Sequence, residues 1–316
     1  MTSLLELKQH LKLFYSRYDT YLIPVLKFAF ALATFLTVNS QIGFMEKASG
    51  PAVSLLLALL CAFLPVNLIA VFGALLICLH GFSLSIEVFA MAAGLLFVMY
   101  ALYFRVAPGY GYVLVMTPLA FFLNIPYAVP LIMGLLGGPV CAVPVACGTV
   151  IYYLVVYMKN NTAMLTNPES EEVVSRLSYF VENVLNNKTM LLTILVFAVT
   201  VMIVYTIRRM SVDYAWYLAI GIGAVVNIVL FLAGSLVMGV HIGILPLVLG
   251  TLVSLLIAVM VEFFVFSLDY SRTEYTQFED DEYYYYVKAV PKMSIAIPEK
   301  KVKKISSGGR NQRRRR

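Results

Sequence analysis

The chain has 316 residues, of which 61% are hydrophobic and 13% charged; its mean hydropathy is +0.87 and its net charge +6. A soluble domain cannot cover that much apolar surface, so composition excludes a soluble globular protein. Apolar runs of roughly 17–25 residues, each long enough for a hydrocarbon core of about 30 Å, recur through the first 268 positions. They predict an all-α, polytopic transmembrane helix bundle.

At the N-terminus, Leu4, Leu7, Leu11 and Phe14 recur at intervals of three and four among Lys8, His10 and Lys12. That spacing predicts an amphipathic helix on the membrane surface over 1–18. Its residues lack the basic region, apolar core and small-residue site of a cleavable signal. An N-terminal membrane half follows over 19–157, then a loop at 158–188, a three-span part at 189–268 and a tail at 269–316. Six full spans are predicted, at 21–38, 83–102, 139–157, 189–207, 214–239 and 244–268.

Two further regions, 52–80 and 112–137, are as apolar but are broken near their middles, by Pro65 and by Asn124-Ile125-Pro126. Each reads as one kinked crossing, two short crossings, or a hairpin that enters and leaves by one face. Single crossings would make eight spans. The regions share a layout: a half-helix ending in Phe-Leu (Phe63-Leu64, Phe122-Leu123), a proline break, a second half-helix, a glycine turn (Gly81, Gly137-Gly138), then a full span.

Lysine and arginine in short loops stay on the cytoplasmic side. Lys8, Lys12 and Arg17 before the first span, Arg208 and Arg209 between later spans, and the basic tail therefore predict cytoplasmic N- and C-termini in a cell (cytoplasmic) membrane. The acidic 158–188 loop, with Glu169, Glu171, Glu172 and Glu182, is expected outside. Arg105 falls outside if each broken region crosses once, and inside if neither makes a net crossing. It tilts the reading toward two hairpins entering from opposite faces.

Unwound backbone is tolerated at membrane depth only where protein or a watery cavity satisfies it, so a repeated break points to a transporter-like site. The expected substrate-binding residues are Pro65, Asn67, Asn124 and Pro126 beside the breaks, with Lys27 in the first span. Lys27 is expected to snorkel, to pair with Glu87 or Glu262, or to face an anionic substrate. Glu87, Glu262, His80 and His241 lie near span ends and read as interfacial. No acidic group is clearly deep, which argues against a cation-coupled pump. Gly223, Asn227 and Gly234 share a helix face and are expected to pack against a neighbouring helix.

In the 158–188 loop, Asn167-Pro168-Glu169 predicts a helix start, followed by an apolar stripe at Val173, Leu177, Phe180 or Val181, and Val184. Cys61, Cys78, Cys141 and Cys147 have neither paired spacing nor a histidine cluster, and predict neither a metal site nor a disulfide framework. No phosphate-loop, zinc-protease, nucleophile-elbow or calcium-loop pattern is present, so no cofactor and no catalytic role are expected.

The tail holds 12 Lys and Arg against 7 Asp and Glu, which makes it +5 of the chain's +6. Its first half allows a short hairpin; its second half is expected to be disordered. Lys300, Lys301, Lys303, Lys304, Arg310, Arg313, Arg314, Arg315 and Arg316 are expected to contact anionic inner-leaflet lipids, at about 1 kcal/mol per charge near the surface. A membrane or cytoplasmic protein partner fits as well. Nucleic acid is the poorer reading, since the tail is tethered and lacks a folded reading element.

The block QFEDDEYYYYVKAVPK at 277–292 resembles the tails of uncharacterised multi-pass membrane proteins of Gram-positive bacteria. The resemblance implies a bacterial cytoplasmic membrane and no particular activity. Two functional readings stand: a membrane transport component, permease or channel-like, with a site between the broken helices; and a non-catalytic membrane scaffold or cell-envelope assembly factor acting through the tail.

Overall fold

The computed structural model describes residues 2–162, 165, 180–265 and 273–291. The first half comprises α1 (Thr2–Ile42), α2 (Glu46–Ser49), α3 (Pro51–Phe63), α4 (Asn67–Leu84), α5 (Ile86–Val106), α6 (Gly111–Phe122), α7 (Ala128–Leu136) and α8 (Ala142–Asn160). After the loop come α9 (Lys188–Arg208), α10 (Ala215–Met238), α11 (Ile244–Val265) and a hairpin of β1 (Glu274–Glu279) and β2 (Tyr284–Ala289). Among the described residues seven helices are long and apolar enough to cross a membrane. The chain is therefore a multi-pass, all-α membrane protein.

Local chemistry sets the helix ends. Pro51 opens α3, where its missing N–H is harmless. Ser85 and Asn187 cap α5 and α9, accepting from the N–H groups of Val88 and Met190 at 3.2 and 3.0 Å. A kink at Tyr18 (φ −120°, ψ 20°) separates the amphipathic start of α1 from its membrane part.

Hydrogen bonds give the direction of each helix. Asn39 donates to Ser54 Oγ at 2.8 Å, and Lys27, further back along α1, donates to the Leu64 carbonyl at 3.1 Å. So α3 runs antiparallel to α1. His80 lies 2.9 Å from Asn39, so α4 returns to the end that α3 left. Lys159 at the close of α8 donates to Gln41 at 2.8 Å and marks the same end, here called the far end. At the opposite end Asn67 donates to the Pro108 carbonyl at 3.1 Å, which joins the start of α4 to the close of α5. The β-hairpin touches this tail end through Lys288, which bonds to Ser211 and Asp213 of the α9–α10 loop.

The second broken region starts from the tail end. Helix α6 climbs beside α8, with Phe121 stacked on Tyr152 at 4.3 Å and Gly148 packed against Thr117. The chain turns at Leu123–Tyr127, where the Tyr127 ring lies 6.3 Å from Phe197, near the middle of the 21-residue α9. Helix α7 then descends, and Arg208 at the foot of α9 donates to the carbonyls of Leu135 and Gly137. Regions 52–80 and 112–137 each return to the end they left. Eight single crossings is therefore not the arrangement: Pro65 and Asn124 to Pro126 occupy turns between antiparallel helices, not kinks within continuous ones. Arg105 closes α5 at the tail end, with the α9–α10 loop that holds Arg209.

One apolar core gathers residues of α1, α3, α4, α5, α6 and α8 around Phe35, Leu76, Tyr103 and Leu154. Two more gather α7, α9, α10 and α11 around Phe197, Met133, Leu131 and Val204. Gly223 and Gly234 let α10 approach closely: a methyl group on Gly223 would overlap Val204, and one on Gly234 would overlap Leu192. Overpacking of this kind costs about 1–3 kcal/mol. Gly223→Ala is expected to lower the thermal midpoint, and Val204→Ala in the same chain to restore part of the loss. Strictly additive losses in a double-mutant cycle would show that the two do not share the contact.

In the tail, Glu274 pairs with Ala289 and Glu279 with Tyr284 across an antiparallel hairpin. Asp280 closes the turn. It accepts from the Tyr285 hydroxyl at 2.8 Å and from the N–H groups of Glu282 and Tyr283 at 3.0 and 2.7 Å, and these donors hold its carboxyl below the usual range. The expected basic contacts, Lys300, Lys301, Lys303, Lys304 and Arg313 to Arg316, lie outside the described residues, as do Asn167 to Leu177 of the expected loop helix. Of that stripe, Phe180 and Val184 are described and buried, with the Phe180 ring 5.4 Å from Tyr157.

Candidate functional site

The five expected site residues divide between the two hairpins. Lys27 caps the close of α3: its ammonium meets the Leu64 carbonyl, where a helix ends in unpaired acceptors and negative partial charge. Asn67 shares the Pro108 carbonyl with the Tyr103 hydroxyl, which donates at 2.7 Å. Any side chain at Gly111 would overlap the Asn67 amide. Pro65 sits in the exposed turn between the half-helices. In this hairpin the Lys27 ammonium and the Asn67 amide nitrogen each donate to a backbone carbonyl.

Asn124 and Pro126 form the tip of the other hairpin. Asn124 has φ +59°, the left-handed conformation that asparagine tolerates better than most residues. The Ile125 N–H returns to the Ala120 carbonyl at 2.9 Å and the Asn124 N–H to Phe121 at 3.0 Å. This pairing is a Schellman close, which satisfies the last carbonyls of α6 before Pro126 bars any continuation. The Asn124 side chain is exposed. Around the tip stand the rings of Phe121, Tyr127, Tyr152, Tyr153, Phe197 and Phe231, with Tyr127 5.5 Å from Phe231 and packed on Gly250.

Directly below this level lies Asn227, which the sequence marks as a packing residue. Helices α9 and α10 are antiparallel, with Gly223 against Val204 and Gly234 against Leu192. That register sets Asn227 at the level of Thr200. The Asn227 amide is fully buried and neither its Nδ2 nor its Oδ1 has a partner; the buried Thr200 Oγ1 has none either. Each such atom in an apolar interior costs about 1–3 kcal/mol. Tyr127 touches both Phe231 and Gly250, which puts Ser254 of α11 near the Asn227 level; its hydroxyl donates to the Gly250 carbonyl at 2.7 Å. Helix α7 covers this seam with Leu131 against Gly223 and Gly134 against Val204.

Two residues read as interfacial are instead enclosed. His80 is fully buried, held between Asn39 and the Met45 N–H at 2.9 and 3.2 Å. Glu262 is 1% exposed, with Tyr217 and Lys8 as polar neighbours. Lys8 also donates to the Phe263 carbonyl at 2.6 Å, which fastens the N-terminal helix to the close of α11. The reason is rotational: both residues sit near helix ends but face the bundle. Glu87 is half-buried in the first turn of α5, and His241 is exposed in the turn after α10.

Among the described residues no cluster of three His, Cys, Asp or Glu could hold a metal. The residues named around the tip carry no formal charge, so what they offer is hydrogen bonding, ring faces and a break in the backbone. No family model, curated protein or solved structure matches the chain.

Proposed function

We propose that this protein is a non-enzymatic membrane transport component, permease or channel-like, whose path runs beside the α6–α7 hairpin. The observation that carries the reading is the tip: an irregular, exposed turn at Asn124, level with the middle of α9. Hydrocarbon does not accept exposed irregular backbone, so a watery cavity is the environment that satisfies it. Sites between discontinuous helices near the membrane midplane are a recurring feature of carriers. We place the tail end in the cytoplasm of a bacterial cell, following Arg105, Arg208, Arg209 and the basic tail.

Asn124→Cys, in a chain whose four native cysteines are replaced, tests this. A membrane-impermeant maleimide is expected to label position 124 in either right-side-out or inverted vesicles, and position 65, in the exposed turn at the tail end, in inverted vesicles only. No labelling of 124 from either side would overturn the path.

The second reading, a scaffold or envelope assembly factor, is supported by the tail hairpin, whose Tyr275, Phe278, Tyr284 and Tyr286 are exposed. Truncation after residue 271 separates the two: a transporter retains flux, whereas a scaffold loses its partner.

A further inference from the structure

We propose that Asn227 and Thr200 bind a small neutral solute carrying both a hydrogen-bond donor and an acceptor, an amide or a hydroxyl compound. The assignment rests on the transport reading for its route of entry and adds the chemical class of what enters.

The unpaired atoms define the guest. Nδ2 of Asn227 only donates, Oδ1 only accepts, and the Thr200 hydroxyl does either. A cation would face the amide N–H groups and an anion would face Oδ1, so a bare ion satisfies one atom at the expense of its neighbour. A solute with a donor and an acceptor satisfies both at once. No lysine, arginine, aspartate or glutamate falls at this level of α9, α10 or α11, which also favours an uncharged guest. Ser254 adds a hydroxyl whose oxygen can still accept while it donates to Gly250.

The site is closed in this conformation, because Asn227 and Thr200 are both fully buried. The piece that closes it is α7, nine residues long and entered through the exposed turn at Asn124. Displacement of α7 from the α9–α10 seam uncovers the amide. Binding then consists of exchanging unpaired buried atoms for paired ones, with no charge transferred.

Acetamide is the probe, used with the full-length chain. In detergent, 0.5 M acetamide is expected to raise the thermal midpoint of the wild type by about 2 °C more than that of Asn227→Leu/Thr200→Val, whose apolar side chains offer no bonds. In vesicles under an acetamide gradient, the wild type is expected to speed swelling several-fold over protein-free vesicles, and the double variant to return it to the protein-free rate. Equal midpoint shifts in both proteins overturn the site. Unequal shifts with no swelling leave the site standing and remove the transport reading; swelling that is equal in both proteins keeps transport and removes the site. If the double variant does not fold, the near-isosteric Thr200→Val serves alone, with half or less of the wild-type shift expected.

Discussion

Arg208→Met is expected to lower the thermal midpoint by about 6 °C or more and to loosen the α6–α7 hairpin at its foot. The last four carbonyls of any helix lack partners within it, and in a membrane water does not supply them. In α7, with nine residues, those four are nearly half the helix. The Arg208 guanidinium meets the carbonyls of Leu135 and Gly137 through its two terminal nitrogens, while Tyr205 and Trp216 flank it at 5.0 and 5.4 Å. Leaving two acceptors unpaired costs about 1–3 kcal/mol each, and the lost ring contacts about 0.5–2 kcal/mol more. The net expectation is a loss of roughly 3–5 kcal/mol. Cys141 reports the local change, since it is buried against Gly137. Its thiol is expected to react with a small maleimide at least ten times faster in Arg208→Met. Arg208→Lys, which brings one point of charge in place of a fork, is expected to lie between the two. A variant with unchanged midpoint and unchanged Cys141 reactivity would show that α7 holds its position without this cap.

Much of this architecture is readable along the chain, because hydropathy integrates over many residues and tolerates local error. The six clear spans, the helix before the kink at Tyr18 and the tail hairpin all follow from apolar spacing, turn residues and charge. The proline breaks were equally legible as breaks. Their outcome was not, since a proline after Asn124 and one before Asn67 carry the same local instruction to stop a helix. Asn124 received a left-handed turn among aromatic rings, whereas Asn67 was drawn to the Pro108 carbonyl, 41 positions away. Only the fold decides which asparagine faces backbone and which faces open space. That Asn227 and Thr200 lack partners was hidden for a related reason. Thr200 and Asn227 are single polar residues inside strongly apolar runs, and a one-dimensional pattern shows that they are tolerated without showing that they lack partners. Glu262 and His80 were misplaced by depth: nearness to a helix end says nothing about which way the helix is turned.

Asn39→Leu is the second substitution expected to act strongly, and its logic can be read atom by atom. The Met45 N–H donates to His80 Nδ1, so the ring carries its proton on Nε2, which donates to Asn39 Oδ1. The Asn39 amide nitrogen spends both hydrogens, one on the Ala48 carbonyl at 3.1 Å and one on Ser54 Oγ at 2.8 Å. One side chain thus ties α1, α2, α3 and α4 together at the far end, with every donor and acceptor in use. Leucine at 39 fills the volume but strands the His80 N–H and the Ala48 carbonyl, at a cost of about 2–4 kcal/mol. The midpoint is expected to fall by about 4–8 °C, and exchange of the Met45 amide to accelerate. Adding His80→Leu removes the stranded Nε2–H but leaves the Met45 N–H without its acceptor, so the number of unpaired groups stays the same. The double variant is therefore expected to lose less than the sum of the two single losses. If the losses simply add, the far end is held by the packing of His80 against Phe44, 6.5 Å away edge to face, and not by the hydrogen-bond network.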